Sequence, residues 1–410
     1  MSTWFNVSIA LVVFMGLASG GMIALLLMST RKQQASFSII LGLLVIIAIL
    51  GVAGSVTLMH DTLGGLSNGI VLLVLAITLG YALTAFSVLA GGKRKWTPNI
   101  PRTRNDRTAV IFLAPGEPPE YETRSAAKRL EFADDPGDVP PLLLRPFYMR
   151  DIKTKYSAIG SSPYRDSHIE LARKVQSRLD SSFNVMPAFY TDTPSLPETL
   201  TRAIEEGSHN IVVAHARVAD PPDQVLTGDL LEGINPENYG IKLRYTEPLW
   251  DSQLLPQVYV RRILEALPEL GPEADDAGVL LVGRGHIQSG ESAVKRFTQE
   301  SSFLRRVRDA LVRVGFDNSR VAIGWLRHSP SAGASLQNLL NAGCKVVYCL
   351  PASFSADGIN TLFDINAQVQ PIVKASGIKF ITLGAWNADD LAAEEIAAYV
   401  RAVSPVAARS

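Results

Sequence analysis

The first ninety residues consist of three uninterrupted apolar stretches, and the pattern changes abruptly after them. Trp4–Thr30, Phe37–Met59 and Asn68–Ala90 contain no Lys, Arg, Asp or Glu. Each is longer than the roughly 20 residues that a helix needs to cross the hydrocarbon core of a bilayer. A cleaved signal peptide is a poor match to the first stretch, because no positive charge precedes it and its apolar run is too long. The pattern predicts a membrane anchor of three transmembrane helices over residues 1–92.

The few charges in this region predict its orientation. Residues 1–92 contain only Arg31, Lys32 and Asp61, and the basic cluster Lys93–Lys95 follows the third stretch. Positive charge marks the cytoplasmic side of a membrane protein. Both basic clusters then lie inside, which predicts a multi-pass protein of the cell's inner membrane with its large C-terminal part in the cytoplasm.

The apolar stretches carry little chemistry of their own. No ionisable residue lies in their middles, which argues against a proton or ion path. Gly16 and Gly20 form a pair of small residues four apart, which lets another helix approach closely. The region is therefore a plain anchor, or it also docks to a membrane-protein partner or to a second copy of the chain.

Beyond a polar linker at 93–107 and an irregular stretch at Pro115–Pro141 with a short helix near Thr123–Leu130, the pattern alternates. Short β-branched runs are followed by amphipathic helical runs, which is typical of a parallel α/β sheet. The predicted order of strand, helix, strand, helix and strand is Ala109–Leu113, Ser167–Ser181, Asn184–Phe189, Leu196–Glu206 and Asn210–His215. The same order returns in Gly278–Val282, Ser302–Val314, Arg320–Trp325, Ala334–Ala342 and Lys345–Leu350.

The two halves also end alike. Ile241–Trp250 and Ile378–Trp386 both begin with Ile-Lys and end with Trp, and an apolar-periodic helix follows each. This repetition indicates an internal duplication. We predict two similar lobes, 108–270 and 271–410, each with a parallel sheet flanked by helices, enclosing a cleft at the carboxyl ends of the strands.

Composition excludes several classes of function. The chain has 39 basic and 39 acidic residues, whereas a nucleic-acid-binding protein shows a basic excess. Two cysteines, Cys344 and Cys349, exclude a disulfide scaffold and fit packing positions in an apolar run. The motifs of zinc proteases, serine-hydrolase elbows and nucleotide-binding loops do not occur in the sequence.

Polar residues at the predicted strand ends are the candidates for chemistry. His215 and His286 directly follow apolar strand runs, and Tyr190 follows another. A histidine at such a strand end can serve as a base or as a ligand, because its pKa lies near neutrality. His215 can equally be a histidine that only caps its strand and bonds a backbone carbonyl.

Four segments resemble the ferrochelatase and sirohydrochlorin chelatase superfamily over roughly residues 108–403. The segment Lys155–Pro163 is similar to the family's tyrosine, isoleucine–glycine and serine–proline segment, and Ser195–Gly207 to a family helix. Gly285-His286 is similar to the catalytic histidine turn. Phe354–Ile365, which reads FSADGINTLFDI, is the longest match.

The resemblance implies a fold of two lobes and the insertion of Fe²⁺ or Co²⁺ into a tetrapyrrole. It implies that His286 and Asp364 are catalytic and bind the metal, and that Asn360, Tyr190 and His215 contact the tetrapyrrole. Three family positions depart from the pattern, because Gly358 stands where the family has a histidine, Asn360 where it has a glutamate and Gln368 where it has a further acid.

These departures leave three hypotheses. The first is a membrane-anchored ferrochelatase-like lyase of heme biosynthesis, the second a non-catalytic tetrapyrrole- or haem-binding subunit with a degenerate site, and the third an unrelated α/β protein. Asn360, Asp364 and Gln368 are spaced to share one helix face, which then holds one carboxylate. Acids from elsewhere can replace the missing ones if they reach the cleft, and the candidates are Glu117, Asp192, Glu291 and Glu300.

Overall fold

A computed structural model gives the fold of this chain. It describes residues 3–58, 62–89, 96–99, 105–131, 140–221, 231, 234–268, 276–285 and 290–404. The chain divides into two compact units. One comprises residues 1–93, 121–131 and 139–154, and the other comprises 94–120, 132–138 and 155–410.

The first unit contains the three predicted apolar helices, α1 (Thr3–Met28), α2 (Arg31–Leu58) and α3 (Thr62–Leu89). All three are long and apolar enough to cross a membrane. Gly16 and Gly20, the pair noted in the sequence, lie on α1 and pack against α3. A Cβ added at Gly20 would overlap the carbonyl oxygen of Ile77, and one at Gly80 would overlap that of Leu17. Gly20 of α1 and Gly80 of α3 therefore let these two helices of the same chain approach each other closely.

The carboxyl end of α1 is held by polar side chains of the same unit. The hydroxyls of Tyr121 and Thr123 each donate to the carbonyl of Met28 at 2.8 Å. The Lys153 ammonium donates to the carbonyl of Ser29 at 3.1 Å, and burial lowers the pKa of Lys153. The last carbonyls of a helix have no partner within it, and a cation there also faces the negative end of the helix dipole. Thr123 begins α4 (Thr123–Glu131), and Lys153 belongs to α5 (Arg145–Ile159).

The second unit holds two four-stranded parallel sheets with the same strand order. Lobe 1 contains β1 (Thr108–Ala114), β2 (Phe183–Phe189), β3 (Asn210–His215) and β4 (Lys242–Tyr245) in the order β2-β1-β3-β4. Lobe 2 contains β5 (Ala277–Gly283), β6 (Val321–Trp325), β7 (Val346–Leu350) and β8 (Lys379–Thr382) in the order β6-β5-β7-β8. The predicted fold class is confirmed.

Three helices of each lobe correspond in chain order, and the helix between β7 and β8 has no counterpart among the described residues of lobe 1. Lobe 1 contains α6 (Tyr164–Arg178), α7 (Leu196–Glu205) and α8 (Leu255–Ala266). Lobe 2 contains α9 (Glu291–Arg313), α10 (Ala332–Asn341), α11 (Ile365–Ser376) and α12 (Asp390–Val403). Trp250 lies between β4 and α8, and Trp386 lies between β8 and α12, so the two tryptophans occupy equivalent places in the chain order. This agreement supports the predicted duplication.

Buried apolar side chains join the two lobes into one core. The central strands β1, β3, β5 and β7 are buried along almost their whole length. One continuous cluster includes Phe112 of β1, Tyr259 of α8, Phe303 of α9 and Tyr348 of β7. A smaller cluster packs α7 on the other face of the first sheet. The alternation of β1 residues between the two clusters follows from the two-residue period of a strand.

Candidate active site

A polar cavity lies where the central strands of both lobes end. Its empty volume, counted out to its open mouth, is about 530 Å³. Ligands of parallel α/β sheets bind at this edge, outside the carboxyl ends of the strands. The strand ends that contribute are those of β1, β3, β5 and β7. The described lining residues with polar side chains are Glu117, Tyr164, Arg217, Arg284, Glu300, Ser353, Ser355 and Asn360.

The cavity brings charges of both signs together. Arg217 donates from Nη1 to the hydroxyl of Tyr190 at 2.8 Å. Arg284 lies over the ring of Phe354, with its guanidinium carbon 5.4 Å from the ring centre. Two guanidinium groups can pair with the carboxylate substituents of a ligand, because their geometry matches a carboxylate. Two carboxylates of the chain, Glu117 and Glu300, line the same cavity.

Glu117 reaches the cavity from the end of β1 and touches the other lobe. Its Oε1 accepts a hydrogen bond from the Ser162 hydroxyl at 2.5 Å and one from the Ile359 backbone N–H at 2.8 Å. Gly358 leaves the space that the carboxylate occupies. A Cβ at Gly358 would lie 2.7 Å from Oε1 and 3.1 Å from Cδ of Glu117.

Glu300, on α9, holds the turn that follows β5. Its carboxylate accepts from the backbone N–H groups of Arg284 at 2.6 Å and of Gly285 at 3.1 Å. This turn leads to His286, which lies outside the described residues. Glu300 therefore fixes the backbone from which His286 starts, and the predicted catalytic and metal-binding role of His286 stays a prediction.

The predicted carboxylate column is interrupted by a π-helical turn at Asn360–Asp364. Such turns recur at functional sites, and they change which residues share a helix face. Asn360 lines the cavity. Asp364 forms a salt bridge with Lys155 at 2.9 Å, and Gln368 donates to the carbonyl of Leu326 at 2.9 Å. The three side chains thus make different contacts, and metal binding by Asp364 stays a prediction.

Tyr190 and His215 lie at the carboxyl ends of β2 and β3, the two strands on either side of β1 in the first sheet. Tyr190 is buried and accepts the hydrogen bond from Arg217. His215 is also buried, and its ring stacks on Tyr245 at a centroid distance of 5.9 Å. Burial, with a further contribution from Arg217, lowers the pKa of His215 to about 4. His215 is therefore neutral at physiological pH. Contact of Tyr190 and His215 with a tetrapyrrole stays a prediction.

A buried hydrogen-bond chain lies behind the cavity wall. His168 Nδ1 is 2.8 Å from the Tyr164 carbonyl oxygen, which can only accept, so Nδ1 carries the proton. Nε2 then accepts from the Ser355 hydroxyl at 3.0 Å. The Tyr164 hydroxyl lies 3.3 Å from the Ser355 Oγ. Tyr164 and Ser355 line the cavity, so this chain connects it to a neutral buried imidazole.

The remaining candidate acids are accounted for by other contacts. Asp192 accepts two hydrogen bonds from Arg165, at 2.8 and 2.5 Å, and Glu291 is exposed in the first turn of α9. Among the described residues, no group of three or more His, Cys, Asp or Glu side chains is arranged to hold a metal ion.

The sequence named Glu117 and Glu300 only as candidate acids for the cleft. Glu117 follows a strand end, which is a signal that the sequence contained. Glu300 lies in the middle of a helix, and nothing in its local pattern distinguishes it from a solvent-facing acid. The network of Tyr164, His168 and Ser355 was missed, because its members come from helix α6 and from the segment after β7.

Comparison with known proteins supplies the family. A sequence model described as Ferrochelatase matches residues 107–403. The ferrochelatase of Geotalea uraniireducens (strain Rf4) is 25% identical over 300 residues, which cover 67% of this chain and 90% of that protein. The ferrochelatase of Geobacter sp. (strain M21) is 22% identical over 317 residues, which cover 72% of this chain and 98% of that protein.

Solved structures also align with the chain. The structure of SirB from Bacillus subtilis with Fe³⁺ has a TM-score of 0.44 and 10% identity, and the alignment covers 74% of this chain and 98% of SirB. The family match spans both lobes, from the start of β1 to the end of α12. The chain therefore belongs to the ferrochelatase family.

Proposed function

We propose that this protein inserts a divalent metal ion, Fe²⁺ or Co²⁺, into a tetrapyrrole at a membrane surface. One observation carries the proposal. The cavity at the strand ends of a ferrochelatase-family fold is lined by two carboxylates, Glu117 and Glu300, and by two guanidinium groups. The carboxylates attract a cation, and the guanidinium groups match the acidic substituents of a tetrapyrrole.

The chemistry assigns roles to the residues. Metal insertion removes two protons from the pyrrole nitrogens as the cation enters. His286, by resemblance to the family's catalytic histidine, accepts a proton or binds the metal on its way in. Asp364 supplies a carboxylate one turn beyond Asn360, and Asn360, Tyr190 and His215 contact the macrocycle. Arg217 and Arg284 hold its carboxylate groups.

The membrane anchor belongs to the proposal. Three helices of the first unit are long and apolar enough to cross a bilayer. The basic residues Arg31, Lys32 and Lys93–Lys95 support a cytoplasmic C-terminal part under the positive-inside rule. Lys93–Lys95 lie outside the described residues. The anchor keeps the enzyme where apolar tetrapyrroles partition.

The test uses the full chain in detergent micelles under anaerobic conditions. Protoporphyrin and sirohydrochlorin are offered in turn with Fe²⁺ and Co²⁺, and absorption spectroscopy measures the metallated product. We expect turnover by the wild type, none by His286→Ala and a reduced rate in Asp364→Asn. His209→Ala is the matched control, because His209 lies at the opposite, amino end of β3. Absence of turnover with every metal and tetrapyrrole would refute the proposal.

A second candidate function is favoured by the altered family positions. Gly358 and Asn360 replace a histidine and a glutamate, and neither replacement can accept a proton at neutral pH. A non-catalytic tetrapyrrole-binding subunit would bind the macrocycle and show no insertion. Fluorescence quenching of a bound porphyrin, measured beside the turnover assay, separates the two functions.

A further inference from the structure

The first residue after the central strand makes the same backbone hydrogen bond in each lobe. In lobe 1 the N–H of Thr191 donates to the carbonyl of Pro115 at 2.9 Å. In lobe 2 the N–H of Arg327 donates to the carbonyl of Arg284, also at 2.9 Å. Pro115 and Arg284 are therefore equivalent residues, one position beyond the central strands β1 and β5.

The next residue is a glycine with a positive φ in both lobes. Gly116 has a φ of 92° and Gly285 a φ of 71°, a conformation that favours glycine. Each packs against the turn that follows the second strand, because a Cβ would lie 2.7 Å from the Cβ of Asp192 or 2.8 Å from that of His328. The residue after the glycine is Glu117 in lobe 1 and His286 in lobe 2. Glu117 is thus the counterpart of the predicted catalytic histidine.

Glu117 also occupies the space of a second family position. The family's histidine within the FSADGINTLFDI segment is replaced by Gly358, and a Cβ there would lie 2.7 Å from Oε1 of Glu117. A histidine at residue 358 and a glutamate at residue 117 therefore cannot coexist without a shift of one of them. In this chain a carboxylate from lobe 1 thus occupies the space beside residue 358 of lobe 2.

The exchanged carboxylate is held in place and faces the cavity. Glu117 is 5% exposed. The hydroxyl of Ser162 and the backbone N–H of Ile359 fix its orientation from both lobes. It lines the cavity together with Asn360, the residue that stands where the family has its glutamate. A preorganised acceptor at this point needs no rearrangement when the substrate binds.

We infer that Glu117 is the proton acceptor that replaces the family's missing acid and histidine in metal insertion. The inference rests on the proposed function. One pyrrole N–H bond breaks and its proton passes to the Glu117 carboxylate, which becomes a neutral carboxylic acid. His286 takes the second proton, and the divalent cation binds the resulting dianionic macrocycle. Charge balances, because two protons leave as one dication enters.

The experiment compares Glu117→Gln with the wild type in the full chain in detergent. Glutamine keeps an oxygen acceptor for Ser162 and Ile359 but cannot take a proton. General-base catalysis is worth about 10²–10⁴-fold, so we expect the insertion rate to fall at least about 100-fold. Porphyrin affinity, measured by fluorescence quenching, should stay within about threefold. Glu395→Gln is the matched control, because Glu395, in α12, is a buried acid that accepts from the backbone N–H of Gln253 and does not line the cavity.

A double exchange tests the same inference independently. Glu117→Gly should be inactive, and Glu117→Gly combined with Gly358→His should regain at least about a tenth of the wild-type rate, because an imidazole again occupies the space. An insertion rate of Glu117→Gln within threefold of wild type would overturn the inference and leave the proposed function standing. Wild-type protein that binds porphyrin without turnover would overturn both.

Discussion

Acidification should destabilise the second unit through two buried histidines, His168 and His215. His168 and His215 are both inaccessible to solvent, and burial lowers the pKa of each from 6.5 to about 4. The folded-state pKa lies below the unfolded value, so the unfolded chain binds the proton first as the pH falls. The stability is complete above about pH 6.5 and is lost progressively as the pH falls toward 4.

The size of the effect follows from these values. With a pKa of 6.5 unfolded and about 4 folded, each histidine favours unfolding by roughly 0.2 kcal/mol at pH 7 and about 2 kcal/mol at pH 5. The two together remove about 4 kcal/mol between these pH values. A folded domain is stable by only about 5–15 kcal/mol. The loss is therefore a large part of the total.

The assay is urea unfolding of the detergent-solubilised chain at pH 7 and pH 5, followed by near-ultraviolet circular dichroism. His168→Gln removes one titrating group, and glutamine can still accept from Ser355. We expect the pH-dependent drop in the free energy of unfolding to shrink by about 2 kcal/mol relative to wild type. His215→Phe preserves ring stacking on Tyr245 and should give a similar reduction. An unchanged drop in both variants would refute the reasoning, because the titration would then come from other groups.

Three further predictions concern the turn after β8, the helix end and the membrane. Arg262 donates to the carbonyls of residues 383–386. Arg262→Met should therefore lower the free energy of unfolding by about 2–4 kcal/mol, measured as a lower unfolding midpoint. Arg173→Met, at an exposed side chain, should leave the midpoint unchanged. Lys153→Met removes the ammonium from the end of α1 and should lower the thermal midpoint in detergent, whereas Lys153→Arg should retain most of it. Protease added outside intact spheroplasts should leave the soluble part uncut, and cleavage before lysis would contradict the predicted orientation.

The sequence predicted most of the fold, because the fold rests on local periodicity. All of the predicted strands and helices are present, and the central strands agree within about two residues. The helix α9 begins at Glu291, eleven residues before the predicted start, because its first turns are polar and carry no apolar period. The helix α5 was not predicted, because its exposed Phe147 and Tyr148 break the amphipathic pattern.

The site was less accessible to sequence reasoning, since it depends on contacts between distant segments. The spacing of Asn360, Asp364 and Gln368 assumed a regular α-helix, whereas the structure has a π-helical turn there. Periodicity cannot show such a turn, because it changes the helix by a single hydrogen-bond step. The buried pair of His168 and Ser355 is separated by 187 positions in sequence.

The proposed role of Glu117 depends on a contact between distant positions, which a comparison made along the sequence does not show. A position-by-position comparison with the family shows Gly358 in place of a histidine and Asn360 in place of a glutamate, and it shows nothing about residues from other segments. The carboxylate that fills the gap belongs to Glu117, 242 positions from the Ile359 N–H that it accepts from. Gly358→His alone should therefore lower activity, since the new Cβ would lie 2.7 Å from Oε1 of Glu117 and displace its carboxylate from Ser162 and Ile359. Reversion helps only when both positions change, which is the behaviour expected of two residues that share one space.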